Sequence, residues 1–350
     1  MTKPIAPPPR GGDPLRKATR RDVARRAGVS DAVVSYTLNG GAPVAPATAK
    51  RVLEAVEALG YRPNQAARTL RSGSARTLVL VVPDGADPIF ANPFFSEYAS
   101  TIESAAREQG YALYTTASSF EPDAILGRFQ EFAARQVDGV LVLPGAAPLD
   151  RSALDRVGLP WLELNVANPQ VGVASLGTDL RRGAFVATSH LLVEHGYERV
   201  GFIGELNATE PRYVGWLEAC AAAGVPAGPF LDAAITRPGG YAVGSRIADD
   251  EDRPRAFFIA SDRTAVGVLR ALHEQRVAVP EDVAIVAFDG SWEGEYAWPP
   301  LTSLRQPIER MAVSAVERVL APRPAVTSHE LFTGELVVRR SCGCHADDGA

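Results

Sequence analysis

Three side chains in the second half of the chain have the types and places that suit a polyhydroxylated ligand. Asp262 follows the apolar run ending Ile259-Ala260, Asp289 follows Ile285-Val-Ala-Phe288, and Arg212 opens Arg212-Tyr-Val-Gly-Trp216. A carboxylate accepts paired O–H donors and a guanidinium donates in a fork, so an arginine with two carboxylates matches vicinal hydroxyls. Phe94, Tyr296 or Trp298 would add an aromatic platform. The plainer alternative is that Asp262 and Asp289 cap helices and Arg212 pairs with a carboxylate. A second group lies near the N-terminus, where Asp31, Ala32, Ser35 and Tyr36 point away from the apolar side of a short helix formed by Val33, Val34, Thr37 and Leu38. In a major groove, Asp31 can accept from a cytosine amino group and Ala32 can touch a thymine methyl. Asp31 suits the positive end of its own helix equally well. Arg16, Lys17, Arg20, Arg21, Arg25, Arg26, Arg62, Arg68 and Arg71 are candidates for phosphate contacts, some of them plain solvated charges.

These outward residues need a scaffold of two short helices and a tight turn. Thr19 caps the first, with Asp22 in capping-box position, and Val23, Ala24 and Ala27 form its apolar face. Gly28 permits the left-handed residue that ends a helix, and Ser30 caps the next. Pro46 opens a third helix running to Leu59, which should bury Val52, Leu53, Val56 and Leu59. An ordinary helical hairpin would look similar, but the charge argues for a helix-turn-helix on DNA. The first 76 residues carry 14 Lys+Arg against 5 Asp+Glu, and the remainder 22 against 36, within a chain of net charge −5. A basic head on an acidic body points to a polyanion partner for the head alone.

The ligand residues need a different scaffold. From Thr77 onward short apolar runs alternate with amphipathic helices. The runs are Thr77–Val82, Tyr111–Thr116, Gly139–Leu143, Leu159–Leu164, Val200–Gly204, Ala256–Ala260 and Val283–Phe288; the helices are Phe94–Gln109, Ala124–Gln136, Arg181–His195, Arg212–Ala223 and Arg263–Gln275. Such alternation builds parallel sheets wrapped by helices, and the length calls for two similar lobes. Ligands then bind between lobes, at the carboxyl ends of strands.

Several functions are disfavoured. The chain has no Walker sequence, no Gly-x-Gly-x-x-Gly after a strand and no Gly-x-Ser-x-Gly elbow, so no enzyme and no cofactor are expected. His190 and His195 sit five apart without a metalloprotease glutamate, and His190 is expected on a helix face. The three cysteines, Cys220, Cys342 and Cys344, make no disulfide framework. Cys342-Gly-Cys344-His345 could hold a soft metal, but its spacing is not a usual zinc pattern, and no metal is expected. Lys3 and a run of prolines make no secretory leader and no apolar run is long enough to span a bilayer, so a cytoplasmic protein with no membrane partner is expected.

Thr19-Arg-Arg-Asp-Val-Ala-Arg-Arg-Ala-Gly-Val-Ser30, Val34-Ser35, Leu38-Asn39, Leu59-Gly-Tyr-Arg-Pro-Asn64 and Ala67-Arg68-Thr69-Leu70 resemble the head of the lac repressor/galactose repressor family. Asn92-Pro-Phe-Phe95, Val137-Asp-Gly139, His190-Leu-Leu192, Ala260-Ser-Asp262, Val279-Pro-Glu-Asp-Val283, Leu301-Thr-Ser303 and Gln306-Pro307 extend the resemblance through the body. It implies an all-α helix-turn-helix head on an α/β two-lobed body like periplasmic binding proteins, in a homodimer on a near-palindromic operator. The expected divisions are a disordered tail (1–16), the head (17–62), a hinge helix and linker (63–76) and the body (77–345). Lobe one would hold 77–176 and 305–322, and lobe two 177–303 and 326–345, with crossovers near Ser175–Asp179, Ser303–Arg305 and Leu320–Ala325. The DNA contacts it implies are Thr19, Arg20, Ser30, Asp31, Ala32, Ser35, Tyr36, Asn39, Tyr61, Asn64, Ala67, Arg68 and Leu70, with Leu70 the hinge wedge in the minor groove. The effector contacts are Phe94, Arg212, Asp262, Asp289 and Trp298. Tyr36 stands where the family often has a guanine-gripping arginine, and Ala45 where it has a serine cap. A transcriptional repressor controlled by a sugar or related polyol is the function implied. A sugar-binding protein for transport or signalling is the alternative, against which the basic head weighs.

Overall fold

The computed structural model describes residues 18–39, 42–62, 73–84, 89–143, 149–166, 169, 172–205, 209–321 and 328–344. The chain divides into two units, Met1–Ala75 and Arg76–Ala350.

In the head, α1 (Arg20–Ala27) starts on a true capping box: the Thr19 hydroxyl accepts from the Asp22 amide while the Thr19 amide donates to the Asp22 carboxylate at 2.9 Å. Gly28, at φ 65°, ends the helix. The Ser30 hydroxyl accepts from the Val33 amide at 3.4 Å to open α2 (Asp31–Asn39). Val23, Ala24 and Ala27 of α1 close on Val34 of α2 and on Val52 and Ala55 of α3 (Pro46–Ala58). Leu53, expected in this core, is 53% exposed, because the buried face of α3 runs through Val52, Ala55, Val56 and Leu59 and leaves position 53 outside it. Tyr61, expected at the DNA, packs half-buried against the same core.

Ala45 precedes α3 with no side-chain cap. Ala45→Ser supplies an acceptor for a first-turn amide and should stabilise the helix by about 1 kcal/mol. Hydrogen exchange of the α3 amides in the full chain should slow by about fivefold where local opening governs it.

In the body, the first sheet runs β11–β5–β4–β3–β1–β2, with β1 Thr77–Pro83, β2 Ala112–Ser118, β3 Gly139–Val142, β4 Trp161–Leu164, β5 Ser175–Thr178 and β11 His329–Phe332. All its neighbours are parallel. The second runs β12–β10–β9–β8–β6–β7, with β6 Val200–Gly204, β7 Phe230–Asp232, β8 Ala256–Ile259, β9 Ala284–Asp289, β10 Thr302–Arg305 and β12 Glu335–Val337. Here only the β10–β12 pair is antiparallel. The inner strands β1, β3, β6, β8 and β9 are buried on two faces, so they are almost continuously apolar rather than alternating, whereas the edge strands β2, β7, β11 and β12 are largely exposed or half-buried. In β1, Leu78, Leu80 and Val82 face a core shared with α4 (Pro93–Glu108) and α12 (Ile308–Leu320), and Val79 and Val81 face one shared with α5 (Pro122–Ala134) and α6 (Arg151–Val157). In the second sheet, Phe202, Phe258 and Val286 meet Ala184 of α7 (Leu180–Ser189) and Trp216 of α8 (Pro211–Ala223). On its other face, Ile203, Phe257 and Ile285 meet Val243 of α9 (Arg237–Asp249) and Val268 of α10 (Asp262–Glu274).

The chain passes between lobes after Thr178, after Arg305 and after Phe332. The third passage corrects the expectation near Leu320–Ala325, and with it the assignment of 326–345 to lobe two. His329–Phe332 pairs in parallel with Ser175–Thr178, Phe332 lies in the lobe-one core, and Ser314 and Arg318 of α12 both donate to Glu330, at 2.9 and 3.1 Å. The chain enters the second sheet only at Glu335. Among the described residues, no helix is long and apolar enough to cross a membrane.

Candidate ligand cleft and nucleic-acid head

Asp289 ends β9 and lies only 7% exposed, with φ at 109°. A non-glycine residue held there is strained, and such strain gathers at functional sites. Its carboxylate accepts from the Ser261 hydroxyl and from Gln306 Nε2, each at 2.8 Å. Gln306 follows the second crossover, and its Oε1 accepts from the Thr178 hydroxyl of the first at 2.6 Å. One buried relay thus joins Thr178, Gln306, Asp289 and Ser261, spanning two of the three strands between the lobes.

Beside this relay lies a cavity of about 590 Å³, a size ordinary for a small ligand. Lobe one supplies Glu97 from α4; lobe two supplies Asp289 and Trp292; the second crossover and the start of α12 supply Arg305, Gln306 and Arg310. Trp292 is 58% exposed, so part of its indole is open to the cavity. Burial pushes the Glu97 carboxyl up, against the pull of Arg305.

The predicted residues divide. Asp289 lines the cavity. Asp262 sits behind it, 1% exposed, with one oxygen accepting the Ser291 amide and hydroxyl at 2.7 and 2.9 Å and the other the Ser303 hydroxyl at 2.6 Å. Arg212 pairs with Glu210 at 2.8 Å and donates to the Ala260 carbonyl at 2.6 Å, and its charge steadies Asp289. Two aromatic expectations need correction. Phe94 is 3% exposed in the lobe-one core against Phe95 and Tyr98, because the Asn92 cap and Pro93 start α4 with that ring turned inward. Trp298 is 80% exposed and does not line the cavity. The residues missed are Glu97, Trp292, Arg305 and Gln306. Of these, only Gln306 carried a sequence signal, in Gln306-Pro307.

Burial raises the carboxyls of both Asp262 and Asp289, and the charge of Asp289 adds to the effect on Asp262, which reaches about 7. The folded Asp262–Asp289 pair therefore holds one proton above the ordinary carboxylate range, between the unfolded value near 4 and about 7. The stabilisation is complete below the unfolded value and is lost as pH rises through the folded one. Stability of the body against denaturant should fall between about pH 4 and 7, at up to about 1.4 kcal/mol per pH unit. Asp262→Asn should flatten that slope.

In the head, Ala32 is exposed, Tyr36 is 44% exposed, and Asp31 and Ser35 are half-buried along α2. Arg20 and Asp31, both expected to meet DNA, pair with each other across the turn between the helices. This exposed pair holds Asp31 below the usual carboxylate range and contributes little to stability. Thr19 and Ser30 are helix caps and are exposed. Asn39 ends α2, and Asn64, Ala67, Arg68 and Leu70 lie outside the described residues.

Comparison with known proteins agrees with both parts. Residues 19–64 match the profile described as bacterial regulatory proteins of the lacI family, and residues 189–342 match that of a periplasmic binding protein-like domain. The HTH-type transcriptional repressor PurR of Haemophilus influenzae (strain PittEE) is 30% identical over 342 residues, covering 93% of this chain and 98% of that protein. A solved complex of the transcriptional regulator CelR with cellobiose is 30% identical, with a TM-score of 0.64, and covers 93% of this chain and 99% of its own. The lac repressor dimer bound to operator and the anti-inducer ONPF shares the fold, with a TM-score of 0.77 at 24% identity, covering 93% of this chain and 99% of its own. With its helix-turn-helix head and its two-lobed body matched along nearly its whole length, this chain belongs to the lacI family of bacterial regulatory proteins, the DNA-binding transcriptional regulators.

Proposed function

We propose that the chain is a cytoplasmic, non-catalytic repressor that binds a near-palindromic operator as a homodimer. A small polyhydroxylated effector, a sugar or related polyol, sets its grip from the cavity between the lobes. The relay through Asp289 carries this reading. A ligand that donates hydroxyls to Asp289 competes with Ser261 and Gln306 for the same two oxygens, and Gln306 is bonded to the first crossover. Ligand chemistry and lobe arrangement are thereby written into one set of hydrogen bonds. Trp292 and the carboxylates of Glu97 and Asp289 suit a sugar better than a purely apolar ligand. The relative solved with cellobiose supports that class. Strand β2, mostly exposed with Tyr114 63% exposed, is a surface a second copy could cover.

A thermal-shift panel of mono- and disaccharides including cellobiose, followed by DNA binding with each hit, tests the reading. A hit that stabilises the body and changes affinity for DNA upstream of the protein's own gene supports it. Hits that leave DNA affinity untouched would make the body a binding protein without control of the head. Binding to that DNA should also weaken at least about a hundredfold between roughly 50 and 200 mM salt, as counterions are released from the contacted phosphates. A flat salt response would remove the basic head from the interface.

A further inference from the structure

We propose that His190, His195, Cys342 and Cys344 form a tetrahedral site for a structural zinc ion in lobe two. The four residues come from two places far apart in the chain, and their ligand atoms all lie within 4.8 Å of one another. His190 Nε2 is 3.3 Å from His195 Nε2 and 3.4 Å from Cys342 Sγ. Cys344 Sγ is 3.3 Å from His195 Nε2 and 3.6 Å from His190 Nε2. Zinc held at its usual distances in a regular tetrahedron separates two nitrogens by about 3.3 Å and a nitrogen from a sulfur by about 3.6 Å. Four of the six edges, the N–N edge and three N–S edges, lie close to those values, and all six are within 4.8 Å. Two thiolates and two imidazoles are the donor set of closed structural zinc sites, which keep no open position for substrate.

The local fold explains how an unpromising spacing becomes a site. Five residues apart on an α-helix, two side chains point well away from each other. Here α7 passes into a π turn at His190–Glu194, where the backbone bonds run from i to i+5 and stack residues five apart. Leu191 and Leu192 are buried within that turn and fix its rotation, leaving both imidazoles toward the C-terminal segment. That segment is pinned too. The buried Ser341 hydroxyl accepts from the Thr302 amide at 2.8 Å and donates to the Ile285 carbonyl at 2.7 Å. Gly343, at φ 98°, then turns the chain so that Cys342 and Cys344 face the same two rings. A Cβ at 343 would meet His195 only at ordinary contact distance, so backbone conformation rather than space calls for glycine.

An outer hydrogen-bond donor stands behind Cys342. The Thr302 hydroxyl accepts the Arg339 amide at 2.8 Å, which leaves its proton to donate to Cys342 Sγ at 3.0 Å. Such outer donors are a normal part of metal sites. Bound there, the ion ties the segment after β12 to the end of α7 and so staples lobe two, away from the cavity at Asp289.

The test uses the full chain, purified reduced. Metal analysis should find about one zinc per chain, and a chelator should lower the melting temperature, restored by zinc alone. Cobalt(II) replacing zinc should show the visible bands of a tetrahedral ion and thiolate-to-metal charge transfer. Cys344→Ser and His195→Asn should each weaken zinc at least about a hundredfold, whereas Cys220→Ser should leave it unchanged. Reduced wild-type protein that binds neither zinc nor cobalt overturns the proposal, whatever the variants do. An octahedral cobalt spectrum without charge transfer overturns it as well, and so does a Cys342–Cys344 disulfide that persists in protein purified without oxygen.

Discussion

Val34→Asp should abolish sequence-specific DNA binding and leave the melting of the body in place. Val34 is fully buried at the centre of the head, against Val23, Ala24, Ala27, Val52 and Ala55. A carboxylate placed there either sits uncompensated in an apolar core or is expelled by opening the helices, at a cost of several kcal/mol. A core of six buried side chains has little stability to lose. Specific binding exceeds non-specific binding by roughly a thousandfold or more in DNA-binding proteins, and all of that margin should vanish. Gel shift and calorimetry on the full-length variant give the two readouts. Retained operator binding with a melted head would show that DNA recognition lies elsewhere.

The head and the sheets were legible because their signals are local. A capping box, a glycine stop and apolar positions three and four apart need no tertiary context. The twice-buried strands announced themselves as unbroken runs of Val, Ile, Leu and Phe. The misses have physical causes. Helix α9 carries Gly239, Gly240 and Gly244, which propensity reads as a loop. Two of them are there because α9 lies against α10: a Cβ on Gly240 would fall 2.0 Å from the Thr264 carbonyl oxygen, and one on Gly244 would crowd Val268. Strand β11 was misassigned because four residues of mixed polarity do not say which sheet they join. At the site, Asp289 could be found from its place after a strand, whereas Glu97 and Trp292 reach the cavity only through the packing of two lobes. Phe94 misled because an aromatic at a helix start suits a core as well as a ligand. His190 and His195 were set aside for want of a metalloprotease glutamate, and only the fold brings Cys342 and Cys344 to them.

Asp289→Ala should weaken the effector by at least about tenfold. Losing one partner of a buried charge-assisted hydrogen bond costs about 1.5–3 kcal/mol, and 1.4 kcal/mol is a factor of ten. The same change leaves Ser261 and Gln306 Nε2 without their acceptor, so the body should lose roughly 1–3 kcal/mol of stability while remaining folded. Gln306→Ala separates the two effects. It spares the Asp289 carboxylate for the ligand but cuts the link to Thr178, so the effector should still bind while its influence on DNA falls. The measurement is calorimetry with the strongest sugar from the panel. Unchanged affinity in Asp289→Ala would take that residue out of the site.

The central claim is that the cavity between the lobes controls the head. Linkage requires that an effector changing operator affinity by some factor has its own affinity changed by operator by the same factor. Fluorescence anisotropy of labelled operator with and without saturating effector gives one side of that cycle, and calorimetry of effector with and without operator gives the other. The account predicts equal factors in wild type, of roughly five- to a hundredfold, falling toward one in Gln306→Ala. A sugar that binds the cavity tightly in wild type, yet leaves both factors at one, would contradict it.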